Sequence, residues 1–293
     1  MIWDNLREEE FEDAIKKSGG LCVIPIGCME KHGQHLPVGA DYIQALAIAK
    51  AAAEIEDVVI FPVGAWLGEV SCFHAFKNPK EVKLRGCIGI KQTTLLTILE
   101  ELCDEIARNG FTKILFVNNH GGNNPLLQLF LRAQSYEFKP YSTMTVFASS
   151  GLSADRVYSL VTQDRKRFPA ITDKDVEVLK RLTETGYGGG HADMRETGIV
   201  MAVDESLVAP ERYDAESGLS SHRTDYLSDV GVSSVNAWLA NYPNSYNAYP
   251  PHDCSRAIGE AYIKIASERL AKAFKLLKED EDCIKSCQML PKE

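Results

Sequence analysis

No stretch of this chain approaches 18 consecutive apolar residues, and its first twenty residues, MIWDNLREEEFEDAIKKSGG, are acidic and amphipathic rather than basic and then apolar. A membrane-spanning helix and a secretory signal are therefore not expected, and the chain reads as cytoplasmic. Cysteine chemistry is sparse. The eight cysteines form no CxxC, and only Cys283 and Cys287, with three residues between them, hint at a metal or redox pair. Reduced thiols are the expectation in a chain without a secretion signal; Cys28 stands apart because it lies two residues before Glu30. Positive charge is also short: 32 Lys and Arg against 41 Asp and Glu leave a net charge of −9. The run Arg165-Lys166-Arg167 sits among polar residues, so nucleic acid and anionic membranes are not expected partners. The GxSxG elbow, the Walker A loop and HExxH are absent, and Gly188-Gly189-Gly190 lacks the Lys-Ser/Thr that would complete a phosphate loop.

What is present is enough apolar material, 45% of 293 residues, for one sizeable core, and a single domain over 1–293 is the reading. An amphipathic helix over 6–18 ends at Gly19-Gly20. The continuous apolar run 21–24 has the pattern of a strand covered on both faces, 58–61 and 114–117 read as a second and a third strand, and 143–147 as a fourth. Between and after them, helices are expected over 42–54, 93–109, from Pro125 onward, 174–185, 199–203 and 255–278. Alternating strands and helices predict an α/β fold, a three-layer αβα sandwich with a mainly parallel sheet. No internal repeat or dividing linker is visible. Residues 213–252, rich in Ser, Asn, Tyr and Pro, form a long loop excursion, a lid or a subunit contact.

Chemistry concentrates in Pro25–Asp41, PIGCMEKHGQHLPVGAD. Glu30, His32, His35 and Asp41 lie within twelve positions, directly after an apolar strand. In an extended segment Glu30 and His32 point the same way with Cα atoms roughly 6.5 Å apart. That gap suits two metal ions about 3.5–4 Å from each other, one on each side chain, with Asp41 able to bridge. Asp41 could equally be an N-cap or first-turn acid of the following helix. A second His-bearing loop, Asn118-Asn119-His120-Gly121-Gly122-Asn123-Asn124, follows the third strand. A third, Gly188 to Gly198, places His191 five residues before Glu196, which could be a ligand or an ordinary first-turn acid. In parallel sheets ligands bind beyond the carboxyl ends of strands, where the first two loops fall.

Glu-x-His-Gly-x-His-Leu-Pro-x-x-x-Asp at 30–41, Asn-His-Gly-Gly-Asn at 119–123 and His-Ala-x-x-x-Glu-Thr at 191–197 together resemble the creatininase (creatinine amidohydrolase) family, over roughly residues 20–205. The resemblance implies a creatininase-like fold, a two-metal site, hydrolysis of small amide C–N bonds and a homo-oligomer, often a hexamer. Carried over by position, it implies Glu30, His32, Asp41, His120 and Glu196 as ligands, Asp41 bridging, and His191 as the proton-transfer residue. The chain also departs from the pattern. Where creatininase proper has His-Tyr-Glu, this chain has His120-Gly121-Gly122, so Glu196 would supply that carboxylate. A Phe-Pro-Gly-Thr segment common in the family is replaced after His74 by Ala75-Phe76-Lys77-Asn78-Pro79.

Three carboxylates and two imidazoles would hold two divalent ions, Zn²⁺ or else Mn²⁺ or Fe²⁺. A water between them would ionise near neutral pH and attack the amide carbon. His191 would pass the proton to the departing nitrogen; spacing alone does not choose it over His35, which suits a role orienting a ligand. His74, Asn119, Gly121 and Gly122 are candidates for substrate binding or for supporting the ligands. The expected substrate is a small cyclic or linear amide. A formamide deformylase or peptide-trimming enzyme of the same family is the alternative, and a non-catalytic oligomeric binding protein on the same fold is the reading of another class.

Overall fold

The computed structural model describes residues 1–70, 84–187, 189–234, 237–247 and 251–280. His74, Cys283, Cys287, Gly188 and most of the 66–80 loop lie outside them. Four strands, β1 (Leu21–Ile26), β2 (Val59–Ile60), β3 (Lys113–Asn118) and β4 (Ser142–Phe147), form one sheet in the order β2-β1-β3-β4 with every pairing parallel. The helices are α1 (Phe11–Lys17), α2 (Ala40–Ala53), α3 (Gln92–Arg108), α4 (Asn123–Ala133), α5 (Ala154–Gln163), α6 (Asp173–Glu184), α7 (Met194–Val203), α8 (Asp225–Ser228), α9 (Ala237–Asn241) and α10 (Arg256–Glu279).

Every residue of β1 and β3 is buried, which is why β1 and the 114–117 centre of β3 are continuous apolar runs instead of alternating ones. Side chains on a strand take opposite faces in turn. Leu21, Val23, Leu115 and Val117 pack into one core with α2, α5, α6, α7 and α10. Cys22, Ile24, Ile26, Ile114 and Phe116 pack into another with α1, α3 and α4. Two helical layers thus enclose the sheet, as the alternating pattern predicts. The register pairs Ile26 with Asn118 and Asn118 with Phe147, so β1, β3 and β4 end level and release their loops on one edge.

Some boundaries differ from the sequence expectation. Glu8–Glu10 forms a 3-10 turn before α1, where Glu10 Oε2 accepts the Arg7 N–H at 2.7 Å and the Arg7 carbonyl accepts the Glu10 N–H at 2.9 Å. β2 is two residues long because it pairs with only two residues of β1, and Ile60 N–H turns instead to the Met1 carbonyl at 2.8 Å. α7 starts at Met194 rather than 199, since Asp193 Oδ1 caps it by accepting from the Arg195 and Glu196 N–H groups. α7 is held against α10 where Gly198 meets Gly259: a Cβ on Gly259 would stand 1.8 Å from the Gly198 carbonyl oxygen. Among the described residues no helix is long and apolar enough to cross a membrane.

Candidate metal centre

The loop leaving β1 carries Glu30 and His32, and α2 begins at Ala40 with Asp41 in its first turn. Asp41 is not the cap of that helix; Gly39 holds the cap position, and the Asp41 carboxylate turns to two imidazoles instead. Its Oδ1 lies 3.2 Å from His32 Nε2 and its Oδ2 lies 3.0 Å from His120 Nδ1. Glu30 Oε2 stands 3.4 Å from that same His120 nitrogen, and Glu196 Oε2 stands 3.7 Å from His32 Nε2. All five are buried. The first-turn role weighed for Glu196 is also real: its Oε2 accepts the Ala192 N–H at 2.7 Å.

The loop after β3 is shaped by asparagines. Asn118 Oδ1 accepts the His120 N–H at 3.0 Å, and Asn123 joins three segments by donating to the Gly27 carbonyl at 2.9 Å and accepting from the Glu69 N–H at 2.7 Å. Gly122 is required sterically, since a Cβ there would come within 2.5 Å of His120 Nε2. At Gly121 a Cβ would meet nothing within 4 Å. In the third segment Ala192 adopts a left-handed φ of 56°, which costs a non-glycine residue energy and marks an over-determined site. That turn aims its N–H at Glu196 and its carbonyl at His35.

Backbone carbonyls decide how the imidazoles are protonated. A carbonyl only accepts, so a ring nitrogen facing one must carry a hydrogen. His32 Nδ1 faces the Glu30 carbonyl at 2.9 Å and His120 Nε2 faces the Glu69 carbonyl at 3.0 Å. In the neutral rings the lone pairs therefore sit on His32 Nε2 and His120 Nδ1, the two atoms directed at carboxylate oxygens. Acceptors confronting acceptors in a buried place call for a cation, either a proton on each ring or a metal ion between ring and carboxylate. Without metal the protons are the solution. Burial opposes charge on His32, but Asp41, Glu196 and Glu30 outweigh it and raise its pKa to about 10. His120, again against burial, is raised to about 9 by Asp41 and Glu30. Asp41 is held well below the ordinary carboxylate range, because the two imidazoles outweigh its burial. Burial pushes Glu196 up to about 8.

His191 differs from both. Its ring lies 4.1 Å from that of His32, and its Nε2 is tied to the Lys31 carbonyl at 2.8 Å, leaving Nδ1 with the lone pair. Burial and the neighbouring His32 lower its pKa. His35 is placed elsewhere: its Nε2 contacts the Ala192 carbonyl at 3.0 Å and Thr197 Oγ1 at 3.2 Å, and its ring meets Tyr213 and Tyr246 edge-on.

The cluster opens into a cavity of about 420 Å³ whose walls include Glu30, His120, His191, Glu196, Asn119 and Trp238. That is room for a small organic molecule. Several contributors carried no legible signal in the sequence. Glu69 reaches His120 through its carbonyl, which any residue possesses. Trp238, edge-on to the His191 ring at 5.2 Å, comes from the excursion more than forty positions later. Lys31 Nζ is gripped by both oxygens of Glu216, at 2.7 and 2.6 Å, and so fastens the excursion to the Glu30 loop.

Comparison with known proteins identifies the family. The chain is 23% identical over 211 residues, 70% of its length and 72% of the relative's, to the creatinine amidohydrolase of Pseudomonas putida. It is 26% identical over 191 residues, 61% of its length and 73% of the relative's, to a mycofactocin precursor peptide peptidase of Mycolicibacterium smegmatis. Solved structures described as a manganese creatininase and as a Zn–Zn form of a creatininase mutant each cover 95% of this chain, and it covers 98% of each. They superpose with a TM-score of 0.68 at 19% identity, a likeness that establishes the fold. A family model, Creatininase (creatinine amidohydrolase), matches residues 4–274. On that match across nearly the whole chain, the protein belongs to the creatininase family of metal-dependent amidohydrolases.

Proposed function

We propose that the protein hydrolyses the C–N bond of a small cyclic or linear amide at a two-cation centre. Glu30, Asp41 and His120 would hold one ion, and His32, Asp41 and Glu196 the other, with Asp41 shared. The observation that carries this reading is the pair of carbonyl-fixed imidazoles whose lone pairs converge on the two oxygens of one buried carboxylate. When bound, two divalent cations polarise the amide carbonyl and lower the pKa of a coordinated water.

The chain's own residues supply position and protons. Asp41, fixed in the first turn of α2, spaces the two halves of the centre. His191, neutral because burial disfavours its charge and held through Nε2 by the Lys31 carbonyl, accepts a proton at Nδ1 and returns it to the departing nitrogen. His35 does not share that task in this reading; it orients the 191–197 turn through Ala192 and Thr197. Asn119 and Trp238 line the substrate's side of the cavity. Lys31 and Glu216 keep the excursion over it. Zn²⁺ is the favoured ion, with Mn²⁺ and Fe²⁺ the others that an oxygen and nitrogen set accepts.

The relatives named for creatinine and for a peptide mark the range of substrates to try: lactams, formamides and short peptides, assayed with Zn²⁺ and with Mn²⁺. Hydrolysis of one class supports the reading, and metal analysis with under one ion per chain after gentle purification would favour a non-catalytic protein instead. We extend the reading to a single domain that works as a homo-oligomer, a hexamer, in the cytoplasm. Light scattering on the purified protein tests the assembly.

A further inference from the structure

Cys28 has no part in the roles above, yet its wholly buried side chain sits inside the centre. Its Sγ lies 3.2 Å from Asp41 Oδ2 and 3.9 Å from Glu30 Oε2. His120 Nδ1 approaches those same two oxygens at 3.0 and 3.4 Å. These four residues each offer a donor atom within 4.8 Å of all the others. Donors arranged tetrahedrally about 2.0–2.3 Å from a zinc ion are separated from one another by about 3.3–3.8 Å. The two sulfur and two imidazole separations cluster around that range. Gly68 seals the other side of the thiol, since a Cβ there would meet Cys28 Cβ at 2.9 Å and the Gly27 carbonyl oxygen at 2.0 Å. The sulfur's polar neighbours are thus the cluster's own acids.

We propose that Cys28 is a fourth donor, as thiolate, to the cation held by Glu30, Asp41 and His120. This rests on the two-cation reading and deepens it by making the two positions unequal. A site with four protein donors is closed, in the manner of structural zinc sites, whereas three donors leave a position open for water or substrate. The position of His32, Asp41 and Glu196, with three protein donors, is then the open one, and both positions border the cavity, one through Glu30 and His120 and the other through Glu196. A soft sulfur donor also favours Zn²⁺ over Mn²⁺, so the closed position retains zinc while the open one exchanges. On uptake the S–H bond breaks, a sulfur–metal bond forms and one proton leaves to solvent. The competing explanation is a weak S–H hydrogen bond to Asp41 with no ligation.

Cobalt(II) separates the two, because a thiolate ligand to Co²⁺ gives a charge-transfer band in the near ultraviolet that oxygen and nitrogen ligands do not. The metal-free protein titrated with Co²⁺ is expected to develop that band with the first equivalent and to keep it against a weak chelator. Cys28→Ser is expected to lose the band and to bind that first ion more weakly by at least the 10–100-fold, about, that loss of a mere supporting partner costs. Cys87→Ser, altering a half-buried neighbouring thiol, is expected to keep it. Cobalt bound by the wild type without the band, or a band that survives Cys28→Ser, overturns the proposal and leaves the two-cation reading standing. Failure of the wild type to bind cobalt at all overturns both. Should Cys28→Ser not fold, the wild-type and Cys87→Ser spectra decide between the two explanations.

Discussion

The Gly27–Asp41 loop and the 213–247 excursion touch, yet they are built on opposite principles. The first is mostly buried, with Gln34 its exposed residue, and its Glu30, Lys31, His32, His35 and Asp41 all have polar or ionic partners inside the protein. Sealing charges in a low-dielectric place is costly unless each is compensated, so this loop has little freedom to differ. The excursion is largely exposed, with Leu239, Ser245 and Tyr246 among its few buried residues. It meets the loop through Lys31–Glu216, Gly33 N–H to the Ser245 carbonyl, and the tyrosines against His35. In our reading the buried loop determines which chemistry is possible and the excursion determines what reaches it. Substitution of the candidate donors in the first should therefore abolish turnover, and substitutions where the two regions touch should rescale it.

The largest effect belongs to the carboxylate shared between the two halves. Asp41→Asn removes one negative charge from between two imidazoles, and both ions are expected to go with it, leaving background activity; elemental analysis beside a turnover assay reads both. A variant that retained one full equivalent of metal would show that Asp41 serves a single position. Next comes His191→Ala, with an expected fall in kcat of about 10²–10⁴-fold, the usual worth of a positioned acid–base group, at unchanged metal content. His120→Ala, by contrast, should lose metal and activity together. Normal turnover in His191→Ala would remove that residue from the mechanism.

How much was legible divides along the same line. β1 and β3 showed as apolar runs because central parallel strands are buried on both faces, and the candidate donors showed because Glu, His and Asp in a Gly and Pro loop are chemically conspicuous. The edge strand β2 read too long, since an apolar run does not reveal how many partners it has. Asp41 read ambiguously because cap and ligand use the same carboxylate, and only the positions of His32 and His120 separate the two uses. Glu69 was invisible for a firmer reason: it acts on His120 through a backbone carbonyl. Trp238 and Glu216 were invisible because a single aromatic or acid in a polar stretch has no periodicity to betray what it faces.

His35 gives a smaller effect with a defined sign. Burial lowers its pKa to about 4 from an ordinary 6.5, so the unfolded chain takes up a proton that the folded one refuses. Stability from the neutral ring is fully present above pH 6.5 and is lost as pH falls toward 4, by about 3 kcal/mol. Denaturant titrations of metal-free protein at pH 7.5 and pH 4.5 should show His35→Gln losing less between the two conditions than the wild type. An equal loss would place the acid sensitivity in the carboxylates and not in the ring wedged between loop and excursion.

The smallest effect tests the contact itself. Lys31 and Glu216 form a bidentate pair whose side chains are only 9% and 18% exposed, and Gln34 Nε2 adds a bond to Glu216 at 2.9 Å. Breaking one partner strands the other, so Lys31→Met and Glu216→Leu should each destabilise by more than the double variant implies. A coupling of about 1–2 kcal/mol is expected, within the range for contacting residues. Because the pair ties the excursion down without touching the donors, each single variant should raise KM several-fold and leave kcat and metal content nearly unchanged. A fall in kcat at constant KM would mean that the excursion reaches into the chemistry through Lys31, whose own carbonyl holds His191.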